Sequence, residues 1–144
     1  MKYFFLLIAF YFITVAGYPY CTTPYQQKKY SIAVSFGSVC CGTSPSVFLS
    51  KFLKNFNAKN KVKVMADIAE GCGREGEFII LVIFPKNNLK KERKFLLELE
   101  KLVISTDDKN KKENPSSGRI FLLQDVKETD YDFCRLGVKR WKGY

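Results

Sequence analysis

A run of seven apolar residues, Phe78 to Phe84, limits most strongly how this chain can fold. The run contains β-branched and aromatic residues, and Pro85 ends it, so it predicts a central strand. The preceding segment, Glu70 to Gly76, has three glycines in seven residues, which predicts a hairpin loop leading into that strand.

The rest of the chain alternates between strand and helix patterns. Strands are predicted where apolar residues recur at every second position, and helices where they recur every three or four. The predicted elements are strands at 30–36, 62–68, 78–84 and 120–123, helices over 44–56 and 95–103, and a polar loop at 105–118. The order β-α-β-β-α-β predicts an α+β fold, a ferredoxin-like split β-α-β two-layer sandwich. Its antiparallel four-stranded sheet has the order 4-1-3-2 and two helices on one face.

The first 17 residues have the pattern of a secretory signal peptide. Lys2 is followed by the apolar run Phe4 to Val15, and small residues precede a cleavage point after Gly17. The run is shorter than the roughly 20 apolar residues of a membrane-spanning helix. We therefore expect a secreted or periplasmic protein whose residues 18–144 form a single disulfide-stapled domain, with a C-terminal tail from about residue 127.

The chain is basic, with 24 lysines and arginines against 14 acidic residues and a net charge of +10. This charge favours anionic partners such as lipid headgroups, acidic glycans or nucleic acid, and the alternative interpretation is that it serves only solubility. The lysines are spread along the sequence without one dense block, so nucleic acid is not expected. A cluster near the C-terminus is predicted to contact an anionic surface, the alternative being a solvated tail with its tryptophan against the domain. The cluster consists of Lys139, Arg140, Trp141 and Lys142.

All five cysteines follow the signal segment, which predicts disulfides in an oxidising compartment. The topology places Cys40, Cys41 and Cys72 at one end of the sheet, here called the top, and places Cys21 and Cys134 at the other end. The predicted bridges are therefore Cys21–Cys134 and Cys41–Cys72, with Cys40 as the leftover thiol. Bonding of Cys40 rather than Cys41 to Cys72 is the alternative.

Three loops are predicted to meet at the top: 38–45, 70–76 and 105–118. Within them Thr43, Arg74 and Glu75 are the candidate ligand-facing residues. Thr43 belongs to a Gly-Thr-Ser-Pro segment at a helix start, where backbone N–H groups can hold an anion. The other reading of that segment is a plain helix cap.

The sheet face without helices is a second candidate surface. Ser31, Ala33 and Ser35 give it small side chains, which could admit a docked protein or a second copy of the chain. A homodimer is expected to form either through this open face or through a disulfide between two molecules.

The absence of histidine excludes Ser-His and Cys-His nucleophile pairs and histidine metal sites. The leading hypothesis is a non-enzymatic binding domain, with no cofactor and an unidentified ligand. An enzyme of thiol–disulfide exchange type, acting through the leftover cysteine of the Cys40/Cys41 pair near Arg74, is the alternative.

A third hypothesis is a soft-metal carrier that uses Cys40, Cys41 and Cys72. In strand order and in the cysteines after the first strand, the chain resembles heavy-metal-associated domains. Such domains carry a Cys-x-x-Cys motif there. This chain has adjacent cysteines instead, lacks the upstream methionine and adds Cys72.

Overall fold

The computed structural model describes residues 30–40, 42–86 and 88–143. Within these ranges the protein is α+β, with a five-stranded antiparallel sheet and two helices. The predicted signal segment, Cys21 and Cys41 lie outside the described residues. The elements are β1 (Ile32–Phe36), α1 (Val47–Asn60), β2 (Met65–Glu70), β3 (Phe78–Ile83), α2 (Leu89–Glu113), β4 (Ile120–Gln124) and β5 (Val138–Arg140).

The strands lie in the order β4-β1-β3-β2-β5. The first four have the predicted order, and β5 adds an edge that the predicted four-stranded sheet lacked. The apolar run occupies the centre as β3, which pairs with β1 on one side and β2 on the other. Because β5 pairs antiparallel with β2, the end of the chain is part of the sheet and not the predicted tail.

One face of the sheet packs against both helices to form the larger core. Alternation along β1 directs Ile32, Val34 and Phe36 to this face, where they are almost fully buried. Phe95 and Leu99 of α2 meet them with no exposed surface. Aromatic rings fill much of the space between the helices and the sheet, at centroid separations of 5.0 to 6.5 Å, and belong to Phe52, Phe56, Phe84 and Phe95.

Helix α2 extends through most of the segment predicted as a loop, so the loop assignment is wrong for residues 105–113. The buried stripe of α2 continues from Val103 to Asp107, one turn further along the same face. An aspartate at a buried helical position interrupts the apolar pattern by which a helix is predicted. Asp107 can be buried because Arg119 and Ile120, at the start of β4, bind its carboxylate. The connection to β4 contains only residues 114–119.

The second face of the sheet is covered, contrary to the prediction of an open face. Gln124 lies beside Ile32 and Val138 beside Ala69, so the segment 125–137 crosses this face from one end to the other. Val126 and Cys134 are buried there against Ala33 and other residues of the sheet. Ala33, one of the small side chains that suggested a docking surface, instead makes room for the protein's own C-terminal segment.

Candidate functional site

A disulfide joins Cys72, in the β2–β3 hairpin, to Cys134, with a sulfur–sulfur distance of 2.07 Å. Both predicted bridges, Cys21–Cys134 and Cys41–Cys72, are therefore wrong. The physical reason is the return of the C-terminal segment to the top, where Arg135 N–H donates to Gly71 O at 3.2 Å. That return places Cys134 beside the hairpin and away from the N-terminal end of β1.

The predicted thiol cluster does not form. Cys40 is exposed just after β1, but Cys72 is consumed by its bond to Cys134. The soft-metal hypothesis required both as thiols, and the redox hypothesis required a Cys72 bridge next to Cys40. Within the described ranges, no group of three or more cysteine, aspartate or glutamate side chains is placed to hold a metal ion.

Two of the three predicted top loops meet. Ser44 is buried in loop 38–45 and donates from Oγ to Gly118 O at 3.3 Å, while Asn110 Nδ2 donates to Ser44 Oγ at 3.0 Å. Gly118 lies so close to Gly37 O that a Cβ atom would approach it to 1.6 Å, so this crossing requires glycine. Thr43 is half-buried beside this contact and forms an isolated bridge with Ser38.

The third predicted loop, 70–76, is tied to the C-terminal segment. Besides the disulfide, Leu136 N–H donates to Glu70 O at 3.1 Å. Arg74 and Glu75 are exposed at the tip of the hairpin, and Glu75 N–H donates to Glu77 Oε2 at 2.8 Å. Thr43 therefore belongs to one contact system and the Arg74–Glu75 pair to another.

The C-terminal basic cluster is divided among different environments. Trp141 is buried and packs in the larger core, which matches the alternative of a tryptophan against the domain. Lys139 forms an ion pair with Glu70, and Arg140 Nη1 lies 3.0 Å from Asp67 Oδ1. Lys139 and Arg140 accordingly stabilise β5 against β2. Lys142 is exposed, and among the described residues it forms no ion pair.

Asp67 is a buried carboxylate on the covered face of the sheet. It accepts a hydrogen bond from Tyr30 Oη at 2.9 Å as well as the contact from Arg140. Burial, followed by the hydrogen bond and the negative charge of Asp67, raises the pKa of Tyr30 well above its usual value. The three side chains join the start of β1, the middle of β2 and β5.

Asp107 is a second buried carboxylate, near the top of β4. Its oxygens accept from Ile120 N–H at 2.9 Å and Arg119 Nε at 2.9 Å, and Lys111 Nζ lies 3.1 Å away. Burial by itself raises the pKa of this carboxyl, but the hydrogen bond from Ile120 and the two cations outweigh it. The pKa of Asp107 therefore lies below its usual value.

A basic surface that the sequence analysis did not identify lies on α1. Lys51, Lys54 and Lys59 are all exposed on the outer side of this helix, and we call them the lysine face. They are spaced three and five residues apart, so the span from first to last is about 12 Å. The sequence carries a signal for this surface, since all 14 acidic residues lie from Asp67 onward and the first 66 residues contain none.

Further lysines surround the lysine face. Lys61 and Lys63 follow α1 directly and are exposed, and Lys91 Nζ of α2 donates to Asn60 O at 2.9 Å at the end of α1. The carbonyl of Gly143, the residue after Lys142, accepts a hydrogen bond from the Ser50 hydroxyl of α1. Folding thus brings Lys91, which is distant in the sequence, to the end of the helix that carries the lysine face.

Comparison with protein-family models, curated proteins and solved structures found no match to this chain. The Cys72–Cys134 disulfide fits an extracellular location, because thiols are kept reduced in most cytosols. Across the described ranges, neither helix is both long enough and apolar enough to cross a bilayer.

Proposed function

We propose that this protein is a secreted, non-enzymatic binding domain that holds a polyanionic polysaccharide on the lysine face of α1. The observation that carries the proposal is the segregation of charge, with lysines exposed on α1 and every acidic residue later in the chain. A flexible polymer with repeated negative charges can contact several lysines along one helix at once. Coulombic attraction of this kind needs no enclosed pocket.

A polysaccharide is favoured over a lipid surface as the anionic partner. Proteins that bind at a membrane interface usually insert aromatic or long apolar side chains beside their cations. The tryptophan of this chain is buried in the core, and of the exposed residues on the outer side of α1 only Val47 is a large apolar residue. The lysine face therefore offers charge without a membrane anchor.

Secretion is part of the proposal and depends on the signal-like segment 1–17 together with the disulfide. The fold is proposed to be a ferredoxin-like split β-α-β sandwich extended at one edge by β5, because the first four strands have the order 4-1-3-2. Binding is favoured over thiol exchange and over metal transport because Cys72 is bonded to Cys134. Thiol exchange required a bridge from Cys72 to the Cys40/Cys41 pair, and metal transport required Cys72 as a thiol.

The test is retention on a column of immobilised sulfated polysaccharide, followed by elution with salt. Replacing Lys51, Lys54 and Lys59 with Glu should cause elution at clearly lower salt than the wild-type protein. The matched control replaces three exposed lysines of α2 with Glu, which changes the net charge equally: Lys101, Lys109 and Lys112. The control should elute near the wild-type position.

Equal shifts for both triple variants would show that net charge alone causes retention, and would contradict a specific lysine face. Binding to anionic phospholipid vesicles without binding to the polysaccharide would contradict the choice of partner.

A further inference from the structure

Strand β4 is an edge of the described sheet, pairing with β1 on one side. Gly37 N–H donates to Arg119 O at 2.9 Å, and Asp125 N–H donates to Ser31 O at 3.1 Å. In an antiparallel pair the backbone groups of alternate residues point to the same neighbour. The odd-numbered residues of β4 therefore bond to β1, and the backbone groups of Ile120, Leu122 and Gln124 face away from the sheet.

The outward edge is protected at its top and exposed below. Asp107 accepts the outward N–H of Ile120, which leaves the N–H groups of Leu122 and Gln124 available to a further strand. Phe121 is 48% exposed beside them, and Ile104 of α2 is 56% exposed. These residues line a groove of about 320 Å³ between α2 and β4. Charged residues of α2, among them Glu100 and Lys111, also line the groove, and an exposed strand edge with outward backbone groups is a site for strand addition.

We infer that the partner at this edge is a second copy of the chain, which pairs β4 with β4 about a two-fold axis at Leu122. This register places Leu122 opposite itself and Phe121 opposite Leu123 of the second copy. It also brings Arg119, which contacts Asp107 only through Nε, opposite Asp125 of the second copy, so opposite charges meet just beyond both ends of β4. The edge is complementary to itself in charge and in apolar contact.

Moving the axis by one residue, to Leu123, makes the pairing unfavourable. Phe121 would then face Asp125 of the second copy, and Arg119 would face Lys127, a like charge. Moving it the other way, to Phe121, places Arg119 opposite Leu123 of the second copy, so the charge of Arg119 no longer faces Asp125. The axis at Leu122 retains the reciprocal Leu122 bonds and a bond from Gln124 N–H to Ile120 O in each direction.

Helix α2 supports the same arrangement. Ile104 lines the groove beside Phe121 and Leu122, so a second copy added at β4 would cover this exposed side chain. The interface joins two sheets edge to edge while the lysine face on α1 stays exposed, so this inference does not depend on the proposed function.

The test is sedimentation velocity from micromolar to millimolar protein concentration. The wild-type chain should pass from monomer to dimer, and Phe121→Glu should weaken association at least about tenfold. The matched control is Phe133→Glu, a 57% exposed phenylalanine in the C-terminal segment, which should associate like the wild type.

A second variant tests the backbone. Leu122→Pro removes an N–H that faces away from β1, so it should keep the fold, checked by circular dichroism, and should abolish the dimer. If the Leu122→Pro variant unfolds, the association measured for Phe121→Glu decides whether the dimer forms through β4. A wild-type chain that stays monomeric throughout, or equal weakening by Phe133→Glu and Phe121→Glu, would overturn the inference.

Discussion

The hydroxyl of Tyr30 donates a hydrogen bond of 2.9 Å to the buried carboxylate of Asp67, 37 residues away in the chain. Tyr30 directly precedes β1 and Asp67 lies within β2, so the bond spans β3 beneath the C-terminal segment. The ring of Tyr131 meets the Tyr30 ring edge-on at 5.6 Å, which connects that segment to the same bond.

Alkaline pH should weaken the protein through Tyr30. The pKa of this phenol is raised above its usual value of 10.0, so its contribution to stability is present below that pH and is lost as pH rises above it. Tyr30→Phe should cost about 0.5–1.5 kcal/mol at neutral pH. The free energy of unfolding, measured with urea between neutral pH and pH values above 10, should fall less steeply for Tyr30→Phe than for the wild type. Identical slopes for the two proteins would contradict this role.

Acid should weaken the protein through Asp107. Its pKa is below the usual 3.8, so the stability it provides is present above that pH and is lost as pH falls through the folded-state value. Asp107→Asn should lower the free energy of unfolding at neutral pH by about 1.5–3 kcal/mol and flatten its decline in acid. The neighbouring Asp108→Asn is the control, since that side chain is 59% exposed. Denaturant titrations from neutral to acidic pH measure both effects, and equal behaviour of the two variants would contradict the assignment.

Loss of the disulfide should destabilise the protein strongly. The bridge closes 62 residues, for which the chain-entropy estimate gives about 4 kcal/mol. Cys72→Ser combined with Cys134→Ser should lower the unfolding free energy by that order. Hydrogen exchange should accelerate first in segment 125–137. Peptide mapping without reduction tests the pairing directly, because a Cys21–Cys134 or Cys41–Cys72 peptide would contradict it.

Strands β1 to β4 and helix α1 could be predicted because their apolar periods are local. Phe78–Ile83 became the central strand for the reason the apolar run suggested. The start of β2 was predicted three residues too early. There Asn57 binds the backbone of Val64 through both its side-chain oxygen and nitrogen, which holds Val64 outside the strand.

The end of α2 and the path of the C-terminus could not be read from local pattern. Asp107 is buried only because β4 supplies Ile120 N–H and Arg119, and Cys134 meets Cys72 only after the chain has crossed the sheet. The lysine face lies between these cases. The helical spacing of its lysines can be seen in the sequence. Whether those lysines form a basic surface depends on where the folded chain places the acidic residues.

The late position of Cys134 in the chain has a consequence for biosynthesis. Synthesis adds about 5–20 residues each second, so Cys72 waits roughly 3–12 s for a partner made 62 residues later. During that interval β2 has no neighbour at its outer edge, and Ala33 and Leu81 have no cover. Of the described strands β5 is the last to be synthesised, and a nascent chain halted before it would present an apolar surface to chaperones and proteases.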